Sequence, residues 1–111
     1  MSAESLAEFE LFVMLAVARL PEAYGAAIRR EIEGRSGRSV SIGAVYATLA
    51  RLGEKGLLTF GHSDPQPVQG GRARKFCFLT PAGLEALQVA MGRITRMSDG
   101  LDLANLPVEG T

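Results

Sequence analysis

The apolar positions of this chain fall into four stretches with helical spacing and two short ones with strand-like runs. Ser5-Leu6-Ala7-Glu8 has the form of a capping box, so a first helix is expected to run from there to about Leu20, where Pro21 stops it. Leu6, Phe9, Val13 and Val17 make one stripe on it, and Leu11, Phe12 and Leu15 lie off that stripe. A helix with two apolar sides needs two partners: its own domain and a second surface. A second helix is expected over Ala23 to Glu33, with Tyr24, Ile28 and Ile32 spaced by four. Gly25 inside it costs up to about 1 kcal/mol relative to Ala, which points to a close helix–helix approach. "GRSGRSV" then reads as a turn and a short extended piece.

A third helix follows Ser41 as cap and closes at Lys55 and Gly56, both suited to a helix C-terminus. Ile42, Val45, Leu49 and Leu52 form its core stripe. Its other face carries Gly43, Ala44, Tyr46, Ala47, Thr48 and Arg51, far smaller residues than the Glu and Lys of a solvated face. Leu57 to Phe60 makes a short strand, "HSDPQPVQGG" a loop, and "RARKFCFL" a second strand. Thr80-Pro81 starts a last helix whose Leu84, Leu87, Met91 and Ile94 are spaced three, four, three, as in a coiled-coil seam. Met91 and Met97 read as interface filler. From about Ser98 the chain is expected to be a mobile or loosely docked tail.

Three helices, a hairpin and a further helix are the order of a winged helix-turn-helix. The fold is therefore expected to be mainly α with a small β-hairpin, plus a C-terminal dimerisation helix. The expected division is a winged-helix domain over 1–80, a dimerisation helix over 81–98 and a flexible tail over 99–111. In a helix-turn-helix the second helix of the motif enters the major groove. The groove is about 12 Å wide and a helix with its side chains about 10–12 Å across. Small residues let the third helix come close, while Ser41, Tyr46, Thr48 and Arg51 offer hydrogen-bonding groups. The other reading is that the small residues pack against another protein element.

Charge changes this picture only once it is divided along the chain. Twelve basic and twelve acidic residues cancel, which argues against a uniformly basic nucleic-acid binder. From Arg35 to Lys75, however, seven bases face two acids, for a net of +5, while the segments before and after are net −3 and −2. A local basic surface is thus expected in the middle of the chain. Arg72, Arg74 and Lys75 at the hairpin either hold phosphates beside the groove or form a solvated hairpin tip. Tyr46 either touches DNA or lies back on its own domain.

The remaining chemistry is sparse. One cysteine, Cys77, and one histidine, His62, make no disulfide and no metal cluster. Cys77 reads as a packed strand residue and His62 as a surface one. They could meet across the hairpin, but no acid is placed to orient them, so catalysis is not expected. No cofactor is expected. The longest apolar run, Leu11 to Ala18, is far short of the ~20 residues that span a bilayer. No signal peptide is apparent, and a cytoplasmic protein without membrane contact is expected.

"YGAAIRREIE", "SIGAVYATLARLGEKGLL" and "GGRARKFCFLTPAG" together resemble the PadR family of bacterial transcriptional regulators. The resemblance covers about Leu6 to Leu87. It implies a homodimeric DNA-binding repressor whose C-terminal helix pairs with the partner subunit, with a small aromatic or cationic inducer in many members. On that reading Ser41, Gly43, Tyr46, Ala47, Arg51, Arg72, Arg74 and Lys75 face DNA. Leu6, Phe9, Phe12, Leu84, Leu87, Met91 and Ile94 form the dimer interface. The chain departs from the family at Ala26, where a tyrosine is common, and at Phe76-Cys77-Phe78, where tyrosines and a charge often stand. The absence of tryptophan excludes a ligand site of stacked indoles. The alternative function is a winged helix used only for protein–protein contact.

Overall fold

The computed structural model describes residues 5–62 and 74–110. The element order is α1 (Glu8–Arg19), α2 (Gly25–Ser36), α3 (Ile42–Glu54), β1 (Leu58–His62), β2 (Lys75–Leu79) and α4 (Pro81–Ser98). This is the expected fold class, with the hairpin strands antiparallel and Phe60 opposite Cys77. Arg72 and most of the hairpin loop lie outside the described residues.

Helix α1 starts later than its sequence suggests. The cap is Ala7, not Ser5, and the Ala7 N–H donates to Glu10 Oε1 at 3.0 Å. The reason is tertiary. Glu10 is buried, and its other oxygen accepts from Lys55 Nζ at 3.0 Å, with Arg51 Nε 4.0 Å away. A carboxylate out of water must be paired, so the register that brings Glu10 to the end of α3 prevails over the local Ser5 cap. Leu11 also turns inward with Val13, Met14 and Val17, which leaves Phe12 and Leu15 as the half-buried outer side.

Helix α2 begins two residues later than expected and continues to Ser36. Gly37, at φ 74°, ends it in the left-handed conformation that favours glycine. The turn to α3 is held by one side-chain pair. Arg29 Nε donates to the Val40 carbonyl at 2.8 Å, and Glu33 Oε2 accepts from the Val40 N–H at 3.0 Å. Val40 itself is buried. These contacts fix the angle between the two helices of the helix-turn-helix.

Helix α3 buries Val45, Thr48, Leu49 and Leu52, with Ile42 half-buried. Thr48 was expected on the open face; it is 1% exposed, and its Oγ1 accepts from Arg51 Nη2 at 3.0 Å. Ser41 caps the helix as expected, accepting from the Ala44 N–H at 3.1 Å. Gly56 then turns the chain at φ 76° into Leu57 and β1. The Cys77 N–H donates to the Ala23 carbonyl at 2.7 Å, so the α1–α2 connection lies along β2.

Helix α4 is capped by Thr80, whose Oγ1 accepts from the Gly83 N–H at 2.9 Å and donates to the Gly56 carbonyl at 2.7 Å. Gly83 sits directly on the Leu57 carbonyl, where a Cβ would collide with backbone. That approach sets the rotation of α4. Its inward seam is Gly83, Leu87 and Ala90, continued by Ile94 and Met97 with spacings of four, three, four, three. The expected seam is thereby split: Leu87 belongs to its own core, Met91 is half-buried, and Leu84 is exposed. Past Ala90 the helix leaves its domain. Ile94 and Met97 stay on the same face but are 50% and 81% exposed. The chain measures 61 × 36 × 21 Å with a radius of gyration of 16.9 Å, against about 13 Å for a compact domain of this length.

Two stability predictions follow from these contacts. Burial raises the Glu10 pKa, but the Ala7 N–H, the Lys55 hydrogen bond and charge, and the Arg51 charge outweigh it, leaving a net lowering. A group with a lowered folded-state pKa contributes stability above its unfolded value, about 4.3, and loses it as pH falls through the folded value. Urea unfolding of Glu10→Gln should therefore show a loss of about 1.5–3 kcal/mol at pH 7, shrinking toward zero in acid. Gly83→Ala should cost about 3 kcal/mol or more, because the Leu57 backbone cannot give way as a side chain can.

Candidate nucleic-acid interface

The exposed face of α3 carries Gly43, Ala44, Tyr46, Ala47, Ala50 and Arg51. Gly43 is the informative position. A Cβ built there meets nothing within 4 Å, so no contact among the described residues requires glycine. In a helix Gly costs up to about 1 kcal/mol relative to Ala. The cost is unexplained by the fold and is consistent with something outside the chain approaching closely.

Tyr46 lies back on its own domain and is still exposed. Its ring lies over Gly25, where a Cβ would come within 2.6 Å of Cε1, yet the residue remains 55% exposed. Gly25 is therefore needed for a ring, and not for the close helix–helix approach expected of it. Arg51 is held at one edge by Thr48 and Glu10, with its side chain still 54% exposed. Ser41 has its hydroxyl engaged at the cap, on an exposed residue at the helix N-terminus.

The hairpin residues do not simply project. The Arg74 guanidinium lies 4.5 Å from the Tyr24 ring centroid, and Lys75 Nζ lies 4.3 Å from that of Phe60. Both are cation–π arrangements on exposed residues. Tyr24 is further fixed by Phe76, edge-on at 6.1 Å, and by Arg30 Nη2, which donates to its hydroxyl at 3.2 Å. Tyr24 precedes Gly25, so Tyr46, Tyr24, Arg30 and Arg74 form one continuous surface at the start of α2. Tyr24 and Arg30 were missed in the sequence because Tyr24 sits on the core stripe of α2. The signal was Arg30 six residues beyond Tyr24, on the side away from that stripe.

The other candidates separate from this surface. Cys77 is buried opposite Phe60, and burial raises its thiol pKa, partly countered by Lys75. His62 is exposed and paired with Lys75, so the two do not face each other across the hairpin. Leu6, Phe9 and Phe12 are half-buried at the edge of the core, and the Arg38 guanidinium covers Phe9 at 5.1 Å. Among the described residues no helix is long and apolar enough to cross a membrane.

Comparison with known proteins places the chain in a family and matches its fold. Residues 14–89 match the transcriptional regulator PadR-like family. The chain is 44% identical over 66 residues to the transcriptional regulator Rv3488 of Mycobacterium tuberculosis, covering 60% of this chain and 57% of that protein. It is 36% identical over 101 residues to an uncharacterized 37.1 kDa protein in transposon Tn4556 of Streptomyces fradiae, covering 90% of this chain and 27% of that one. It thus spans rather over half of the first of these relatives and about a quarter of the second. Its fold is similar to a PadR-like transcription factor from Bacteroides fragilis, with a TM-score of 0.70 at 22% identity, covering 87% of this chain and 89% of that one. It is also similar to a PadR family regulator from Clostridium difficile, with a TM-score of 0.69 at 21% identity, covering 84% and 96%. With the family model spanning most of the winged helix and the start of α4, this chain belongs to the PadR-like family of transcriptional regulators.

Proposed function

We propose that the protein is a homodimeric repressor that binds a palindromic operator through α3. The observation that carries this reading is the bare α3 face, above all a glycine that the fold itself does not need. The helix N-terminus at Ser41, with Gly43 and Ala47, enters the major groove. Tyr46 and Arg51 reach bases or adjacent phosphates from its flanks. Tyr24, Arg30, Arg74 and Lys75 hold the backbone alongside, positioning the protein without reading sequence; Arg72, just before this group, adds charge in the same stretch.

Dimerisation falls to the two surfaces left open. One is the α4 seam beyond Ala90, Ile94 and Met97. The other is the outer side of α1, Phe12 and Leu15. Joined through them, two copies present their α3 helices to successive major grooves, about 34–36 Å apart. Bound there, the dimer blocks polymerase on the adjacent promoter in the cytoplasm. A small-molecule inducer would act by altering the relative pose of the subunits.

The test is fluorescence anisotropy on the DNA upstream of the protein's own gene, beside a scrambled duplex, at several salt concentrations. The expected result is at least a hundredfold preference and a log K against log salt slope of about −4 to −7. A shallow slope without preference would favour a protein-binding winged helix. Arg30→Ala and Arg74→Ala should each flatten the slope by about 2 per dimer, at roughly 0.9 per phosphate lost. Gly43 separates stability from binding. Gly43→Ala should raise stability by up to about 1 kcal/mol, whereas Gly43→Leu should keep the melting temperature and weaken operator binding at least tenfold.

A further inference from the structure

Two features of the molecule find no place in the operator-binding surface. The first is a groove of about 360 Å³ between the outer side of α1 and the C-terminal half of α2. Phe12, Leu15 and Ile32 form its apolar wall, and Arg19, Arg35 and Glu31 its rim. Arg35 is paired with Glu31, so the rim keeps a net positive charge. The second is the segment after α4. Residues 99–110 run in turns and extended chain, with the Asn105 N–H and side-chain amide both donating to Asp102. Leu101, Leu103 and Leu106 are 51%, 70% and 43% exposed. The segment carries Asp99, Asp102 and Glu109 and no base.

An acidic segment with three open leucines and a positively rimmed apolar groove are complementary in both respects. They are not in contact within one chain, because the leucines stand open to solvent beyond the end of α4. That helix is about 27 Å long at 1.5 Å per residue, and it carries the segment away from its own domain. The seam of α4 that leads to it, Ile94 and Met97, is the surface already assigned to dimerisation, and Phe12 and Leu15 are shared by the groove and the α1 face.

We propose that the C-terminal segment of one subunit, Asp99 to Leu106, seats its leucines in the α1–α2 groove of a second copy. The two exchanged segments clasp the dimer that the α4 seam begins. This rests on the homodimer reading. The clasp joins α2 of one subunit to α4 of the other, so the segment also bears on the spacing of the two operator-binding surfaces.

The experiment compares full-length chains by sedimentation equilibrium. Leu103→Asp/Leu106→Asp disables the segment and leaves the groove. Arg19→Glu/Arg35→Glu reverses the charge of the exposed rim and leaves both the segment and the apolar α1 face intact. Each variant alone should dimerise at least tenfold more weakly than the wild type. Mixed one to one, the segment variant and a groove variant should form a heterodimer in preference to either homodimer. Only the mixed pair retains one intact segment facing one intact groove. Dimer affinities within twofold of wild type, or no heterodimer preference, would overturn the clasp while the homodimer stands. A wild-type chain that is monomeric at every concentration would overturn both.

Discussion

A carboxylate taken out of water near the start of α1 organises this small fold. Glu10 cannot remain charged and buried without partners, and it finds them at its own helix end and at the far end of α3. The Ala7 N–H, Lys55 and Arg51 converge on it. The contact spans 45 residues of sequence, clamps α1 to the end of α3, and lies beside the hydrogen bond from Arg51 to Thr48. Removing it would leave α3 held at its start by the Arg29–Val40–Glu33 clamp and beyond that by apolar packing, which fixes depth in the core better than rotation about the helix axis.

That rotation matters because it sets which side of α3 carries the small, exposed residues. The residues there are too small to shield the helix and too few in charge to solvate it well. Around that face the long cations are not loose. Arg74 rests on Tyr24, Lys75 on Phe60, and Arg30 on the Tyr24 hydroxyl. Side chains held in this way lose less freedom on meeting a phosphate than freely rotating ones. The zero net charge of the chain conceals this arrangement, since more than half of the acids that balance it lie on α1, α2 and the C-terminal segment.

The same division of labour shapes α4. Its first turns are part of the core, flush against the Leu57 carbonyl at Gly83, and its later turns are not. A single apolar seam thus serves its own domain up to Ala90 and stands open at Ile94 and Met97. The molecule is extended and leaves these apolar residues exposed at one end, while a chain of about a hundred residues has only a small core of its own.

Much of this was legible from residue order. The helices, the caps at Ser41 and Thr80 and the glycine turn at Gly56 rest on interactions within about four residues, which a sequence displays directly, and the hairpin was marked by two short apolar runs either side of a turn-rich stretch. The bare face of α3 was visible for the same reason. What only the tertiary structure decided is which side of each helix turns inward. Thr48 went into the core, Leu11 joined it, the α4 seam shifted from Leu84 to Gly83, and Gly25 proved to accommodate the ring of Tyr46. A helix with apolar or small residues on more than one face has several rotations of similar local energy. The choice among them is made by a backbone, a carboxylate or a ring brought in from far along the chain.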